Sequence, residues 1–161
     1  MGVASAIIEE PFRVPLWSED YILGEESVDR DHSIVFTLLG LLENEVILGR
    51  KDETIRRNIL TFMIEFIRRH FDWEEMHMMH LGYPEVAEHR EMHERFKIWM
   101  SQILDRFGLH PDHDIALLES LSQWWISHIL GEDRRHVAFL SPSREDRGFR
   151  QMGTINRTDE G

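Results

Sequence analysis

Four stretches of the chain carry apolar residues at alternating three- and four-residue steps, the period of a helix with one face buried. The first spans about residues 29–48, with Val35, Phe36, Leu39, Leu42 and Val46 on one face. The second spans about 53–80, with Leu60, Met63 and Ile67. The third runs to about 107 through Val86, Phe96, Met100, Ile103 and Phe107. The fourth starts near 112 and carries Leu118, Leu121 and Trp125. Strand-like alternation is weak throughout, and no repeat of solenoid length is present.

The breaks support this division. Ser27 is the expected N-cap of the first helix and Gly49 its expected stop. Gly82 should end the second helix, and Pro84 fits the opening turn of the third. Four helices of about 18–28 residues with short connections pack most simply as an all-α, up-down-up-down bundle. At about 1.5 Å per residue, their middles are expected to converge on one internal point. Residues 1–20 read as an N-terminal arm anchored by Trp17, residues 21–140 as the bundle, and residues 141–161 as a flexible polar tail.

Composition narrows the chemistry. The chain has 161 residues, enough for one domain with a real core, and no cysteine. Any metal must therefore be held by nitrogen and oxygen. The formal net charge of −12 disfavours nucleic-acid binding. No apolar run reaches membrane-span length, and the start lacks a basic secretory leader. These features predict a soluble, cytoplasmic protein. Ten histidines, spread from position 32 to position 136, are the unusual count.

Six polar residues fall on the apolar stripes: His32 on the first helix, His70 and Glu74 on the second, His89 and His93 on the third, and His128 on the fourth. A four-residue step turns a helix by about 400°, so each pair stacks on one face. A single histidine on such a stripe reads as a satisfied core residue, and a single HxxxH or HxxxE recurs by chance. Their placement on four successive core faces points instead to metal. Five imidazoles and a carboxylate exceed one tetrahedral site. Two six-coordinate ions offer about twelve positions. Five imidazoles, two bridging carboxylates and a single-atom oxygen bridge leave one of them open. A second carboxylate is wanted near His128, and Asp133 stands five residues on.

The run "VDRDH…HFDWEE…GYP…HREMH…WWISHILGED" resembles hemerythrin, in particular the single-domain bacterial kind, over about residues 15–140. The resemblance implies a non-haem di-iron centre, oxo- or hydroxo-bridged, with Glu74 and Asp133 spanning the ions. His89, His93 and His128 would hold one iron. His32 and His70 would hold the other, which keeps the open position for O2 or for another small ligand such as azide or nitric oxide. On an ideal helix Asp133 would lie roughly 140° away from the His128 face. The helix is therefore expected to loosen, bulge or end at "LGED", with Gly131 permitting it.

Two departures from the family pattern stand out. Asp31 occupies a position that is commonly Gln, while Asp29 matches and is expected either to accept a hydrogen bond from a ligand imidazole or to serve as a plain charge at the helix N-terminus. Trp125 replaces an aliphatic residue and is expected to narrow the ligand pocket; the alternative is plain core packing. The remaining histidines, 77, 80, 110, 113 and 136, read as surface or boundary residues; His77, one heptad after His70, can also be read as continuing the inward stripe beyond the metals. Met76, Met78 and Met79 read as packing. Reversible O2 binding, as carrier, store or sensor, is the expected function. A di-iron peroxidase, a nitric oxide- or iron-detoxifying enzyme, and an oxygen-responsive regulatory module with a protein partner are the alternatives.

Overall fold

A computed structural model describes residues 12–49, 53–106 and 111–140. Four long helices run Glu26–Ile47 (α1), Thr54–Leu81 (α2), Val86–Leu104 (α3) and Pro111–His128 (α4). A π-helical turn, Ile129–Asp133, follows α4 directly, and a short helix, Arg134–Leu140 (α5), continues from it. No strand occurs among the described residues. The predicted tail 141–161, most of the predicted arm, Phe107 and His110 lie outside them.

The helix ends follow local chemistry. Glu25, not Ser27, caps α1: its carboxylate accepts from the Val28 amide at 2.8 Å and from the Ser27 hydroxyl at 2.6 Å. The longer acid reaches the first-turn amides from one step further back, and its charge suits the positive helix end. Gly82 ends α2 at φ 70°, a left-handed conformation that side chains disfavour. Gly49 has φ 56° just beyond α1.

The core is the predicted one. Val35, Leu39 and Leu42 of α1, Leu60, Met63 and Ile67 of α2, Phe96, Met100 and Ile103 of α3, and Leu118, Leu121 and Trp125 of α4 are all buried in one cluster. Helix α1 packs on α2 and α4, and α2 packs on α3. Aromatic stacking joins α3 to α4, with Phe96 and Trp124 ring centroids 3.8 Å apart. Residues 12–23 lie against α1. The Val14 amide donates to Glu43 at 2.9 Å, and Trp17 packs edge-on to Phe36.

The polar residues gather toward one end of the bundle rather than at the helix middles. His89 sits in the first turn of α3, and His128 is the last residue of α4. In an antiparallel bundle the starts of α1 and α3 meet the ends of α2 and α4. Placing ligand-type residues near those ends brings them together and leaves the opposite half to apolar packing.

Candidate metal centre

Each of the seven predicted residues is at most 4% exposed. Two carboxylates and five imidazoles thus share one water-excluded space. Burying such groups unpaired costs several kcal/mol per charge, so the cluster needs a binding partner.

The contacts divide the imidazoles into two sets. The Nε2 atoms of His89 and His93 are 3.0 Å apart, as are those of His93 and His128. Two nitrogens at right angles around an ion, each about 2.1 Å from it, would stand about 3.0 Å apart. Glu74, His89, His93, His128 and Asp133 each offer a ligand atom, and these atoms all lie within 4.8 Å of one another. His32 and His70 fall outside that group but touch its carboxylates. His32 Nε2 is 3.1 Å from Asp133 Oδ2, while His128 Nε2 is 3.1 Å from Asp133 Oδ1. His70 Nε2 is 3.8 Å from Glu74 Oε2, which also lies 3.6 Å from His89 and His93. The Nε2 atoms of His32 and His70 and all four carboxylate oxygens lack a partner with hydrogen-bond geometry. Nitrogen and oxygen atoms converge here without mutual hydrogen-bond geometry, which is the donor set of a cation site and suits nitrogen- and oxygen-loving metals.

Asp133 reaches this space through the π turn. An α-helix carried five steps past His128 turns by roughly 500°, which leaves residue 133 about 140° off the inward face. A π turn absorbs one extra residue, so the effective rotation falls to about 400° and the carboxylate points inward. Glycine is not required for this. Gly131 has no positive φ, and a Cβ there would meet nothing within 4 Å. The expectation that Gly131 permits the bulge is therefore corrected: ordinary residues adopt this backbone too.

The residues behind the ligand-type side chains differ from expectation. Asp29 does not meet an imidazole; its carboxylate accepts from the amides of Leu23 at 2.7 Å and Gly24 at 2.9 Å and ties the incoming chain to α1. Its side chain leans toward the helix start, away from the ring. Asp31 takes the expected role, with Oδ2 at 3.3 Å from His70 Nδ1. Glu75 accepts from His93 Nδ1 at 3.0 Å and is itself held by Arg90 Nε at 3.0 Å. A carboxylate on the far nitrogen fixes the ring and leaves Nε2 free for a metal. Aromatic rings set the remaining orientations. Phe71 stacks on His93 at 3.6 Å, and Trp124 on His128 at 4.5 Å.

His136 corrects the sequence reading outright. Expected at the surface, it is 0% exposed, with Nδ1 at 3.4 Å from Glu74 Oε1. Counted along a regular helix, it lies about 80° from the His128 face. The residue absorbed by the π turn brings it to within about 20°. The three-residue step from Asp133 was the available signal. His77 is half-buried and its ring meets Trp73 and His136, while His80 and His113 are exposed. Met78 is buried packing, and Met76 and Met79 are exposed.

Protonation differs between the two imidazole sets. Burial, with the neighbouring His128 and His89, pushes His93 down to about 4 despite Glu75. Burial also opposes charge on His70, but the bond to Asp31 and the charges of Glu74 and Asp133 outweigh it and raise its pKa. Burial likewise opposes charge on Glu74, yet contacts with His136, His89 and His70 hold its carboxyl well below the usual range. Near pH 6, His93 is therefore neutral and able to ligate, whereas His70 holds a proton that a metal must displace. Metal affinity of the metal-free protein is therefore expected to strengthen as pH rises through the raised His70 value, where no proton has to be displaced. Titration with ferrous iron at pH 6 and pH 8 checks this; equal affinity at both would contradict it.

A helical bundle whose buried centre is built from imidazoles and carboxylates, without sulfur, belongs to the class of non-haem metal proteins. The family described as hemerythrin HHE cation binding domain matches residues 23–140, and the chain belongs to that family. It is similar to proteins named bacteriohemerythrin from Stenotrophomonas maltophilia (26% identical over 122 residues; 76% of this chain, 78% of that protein) and Clostridium acetobutylicum (26% over 129; 76% and 98%). It also resembles a hemerythrin-like protein of Naegleria gruberi (24% over 133; 83% and 97%). None of the helices among the described residues is long and apolar enough to cross a membrane.

Proposed function

We propose that the chain binds O2 reversibly at a pair of non-haem irons with one open coordination position. His89, His93 and His128 would hold one iron and His32 and His70 the other, with Glu74 and Asp133 shared. The observation that supports this most is Asp133, fully buried, with one oxygen facing His32 and the other facing His128 and His89. When bound, the irons supply the electrons for reversible capture of the ligand. The chain supplies the rest. Carboxylates on the outer nitrogens of His70 and His93 keep those rings oriented. Phe71, Trp125 and Ile129, all 0% exposed, keep bulk water from the centre. That dryness suits a ligand that must leave unchanged.

A metal count with optical spectra of the oxygenated and azide-treated protein tests the reading. Two irons per chain and a stable oxygenated spectrum are expected. Rapid peroxide consumption with a reductant would favour the enzyme reading instead, and one ion or none would sink the di-iron reading.

Trp125 packs against both imidazole sets, with the ring centroids of His32, His70 and His128 5.9 Å, 6.1 Å and 6.3 Å away. In this proposal it narrows access to the open position. Trp125→Leu in iron-loaded protein is then expected to speed azide binding roughly tenfold, the effect of about 1.4 kcal/mol off the entry barrier. Stopped-flow mixing measures it, and an unchanged rate would leave Trp125 as core packing.

A further inference from the structure

His136 lies outside the seven side chains assigned above, yet it meets two of them, Glu74 and His89. Its ring is enclosed by edge contacts, with Tyr83 at 5.4 Å, His77 at 6.0 Å and His89 at 6.3 Å between centroids. Neither nitrogen has a partner of hydrogen-bond geometry, and Glu74 Oε1, 3.4 Å from Nδ1, lacks one as well. Leaving a buried donor or acceptor unsatisfied is costly, because it has lost its water and gained nothing in return. Two such groups facing each other at 3.4 Å need a shift of only a few tenths of an ångström to satisfy both. The Tyr83 hydroxyl does not compete, because it donates to Glu85.

The two carboxylates are used differently. Asp133 turns one oxygen to each imidazole set. Glu74 has Oε2 within 3.8 Å of the Nε2 atoms of His70, His89 and His93, and Oε1 at 3.4 Å from His136 Nδ1.

We propose that His136 is a positioning residue that hydrogen-bonds Oε1 of Glu74 and so fixes the tilt of that carboxylate at the metal centre. The inference rests on the reading of Glu74 as a metal ligand. Loss of a residue that orients a ligand typically weakens metal binding 10- to 100-fold.

The test compares iron-loaded wild type with His136→Phe and His136→Met, which lack a donor, and His136→Gln, which keeps one. Two apolar variants are used so that one can serve if the other fails to fold, as judged by circular dichroism. Iron release to a chelator and the near-ultraviolet charge-transfer bands are recorded. The apolar variants are expected to bind two irons, release them at least about tenfold faster, and show shifted bands. His136→Gln should stay within about threefold of wild type, the spread common to single contacts. Wild-type release rates and bands in the apolar variants would overturn the proposal. So would a His136→Gln variant as impaired as the apolar ones, since space rather than the donor would then matter. Loss of one whole iron in His136→Gln would overturn it in favour of direct ligation. A wild-type protein that binds no iron would instead sink the metal-centre reading itself.

Discussion

In the proposed two-iron centre, replacing Asp133 with alanine is expected to leave one bound ion per chain or none. It should also abolish the rise in melting temperature that metal gives the wild type. Both oxygens of Asp133 face imidazole nitrogens within 3.4 Å, and they belong to the two different sets. Its removal therefore takes a donor from each ion position at once, while loss of a single histidine takes one donor from one position. Ligand binding stabilises a fold by about 4 kcal/mol when the ligand is a thousandfold above its dissociation constant. Most of that should vanish in the variant. The metal-free variant should remain folded, because the apolar half of the bundle is untouched. Metal analysis and thermal melts with and without iron measure both effects. Full metal retention by Asp133→Ala would remove the basis for a shared carboxylate.

Phe71→Ala carries the largest expected cost to stability. Phe71 is fully buried at the boundary between core and metal centre. It stacks on His93 and lies within 6.0 Å of Trp124, Trp125, His128 and Phe96, centroid to centroid. Removing such a ring costs about 3–5 kcal/mol in transfer and cavity terms. For a chain of this size that lowers the melting temperature by about 10 °C. The stacked face of His93 also loses its support, so iron release should accelerate alongside. Phe71→Leu, which refills part of the space, should lose less of both. A melting temperature within a degree or two of wild type would show that the surrounding rings collapse into the gap.

The division between local pattern and tertiary arrangement is visible in particular residues. Periodicity alone located the four long helices, the buried stripes and six of the seven ligand-type side chains. Each of those facts depends only on which residues share a face within one helix. Counting coordination positions only called for a carboxylate near His128, and the family resemblance assigned Asp133 to that place. Its inward orientation depends on a π turn, which local spacing allows but does not specify. The same turn changes the phase of every later residue, so His136 reads as peripheral in sequence and is buried in the fold. Asp29 and Asp31 show the other limit. Both lie beside His32 in sequence, but the imidazole that Asp31 meets belongs to α2, 39 residues away. Glu75 similarly reaches across to His93 on α3.

The chain on its own thus determined a bundle with imidazoles and a carboxylate turned inward, because helical periodicity is a short-range property. Which carboxylate backs which ring, and where the inserted residue of the last long helix falls, were decided by packing between helices. Those distances are set by the antiparallel register of the bundle, and no stretch of sequence contains that register.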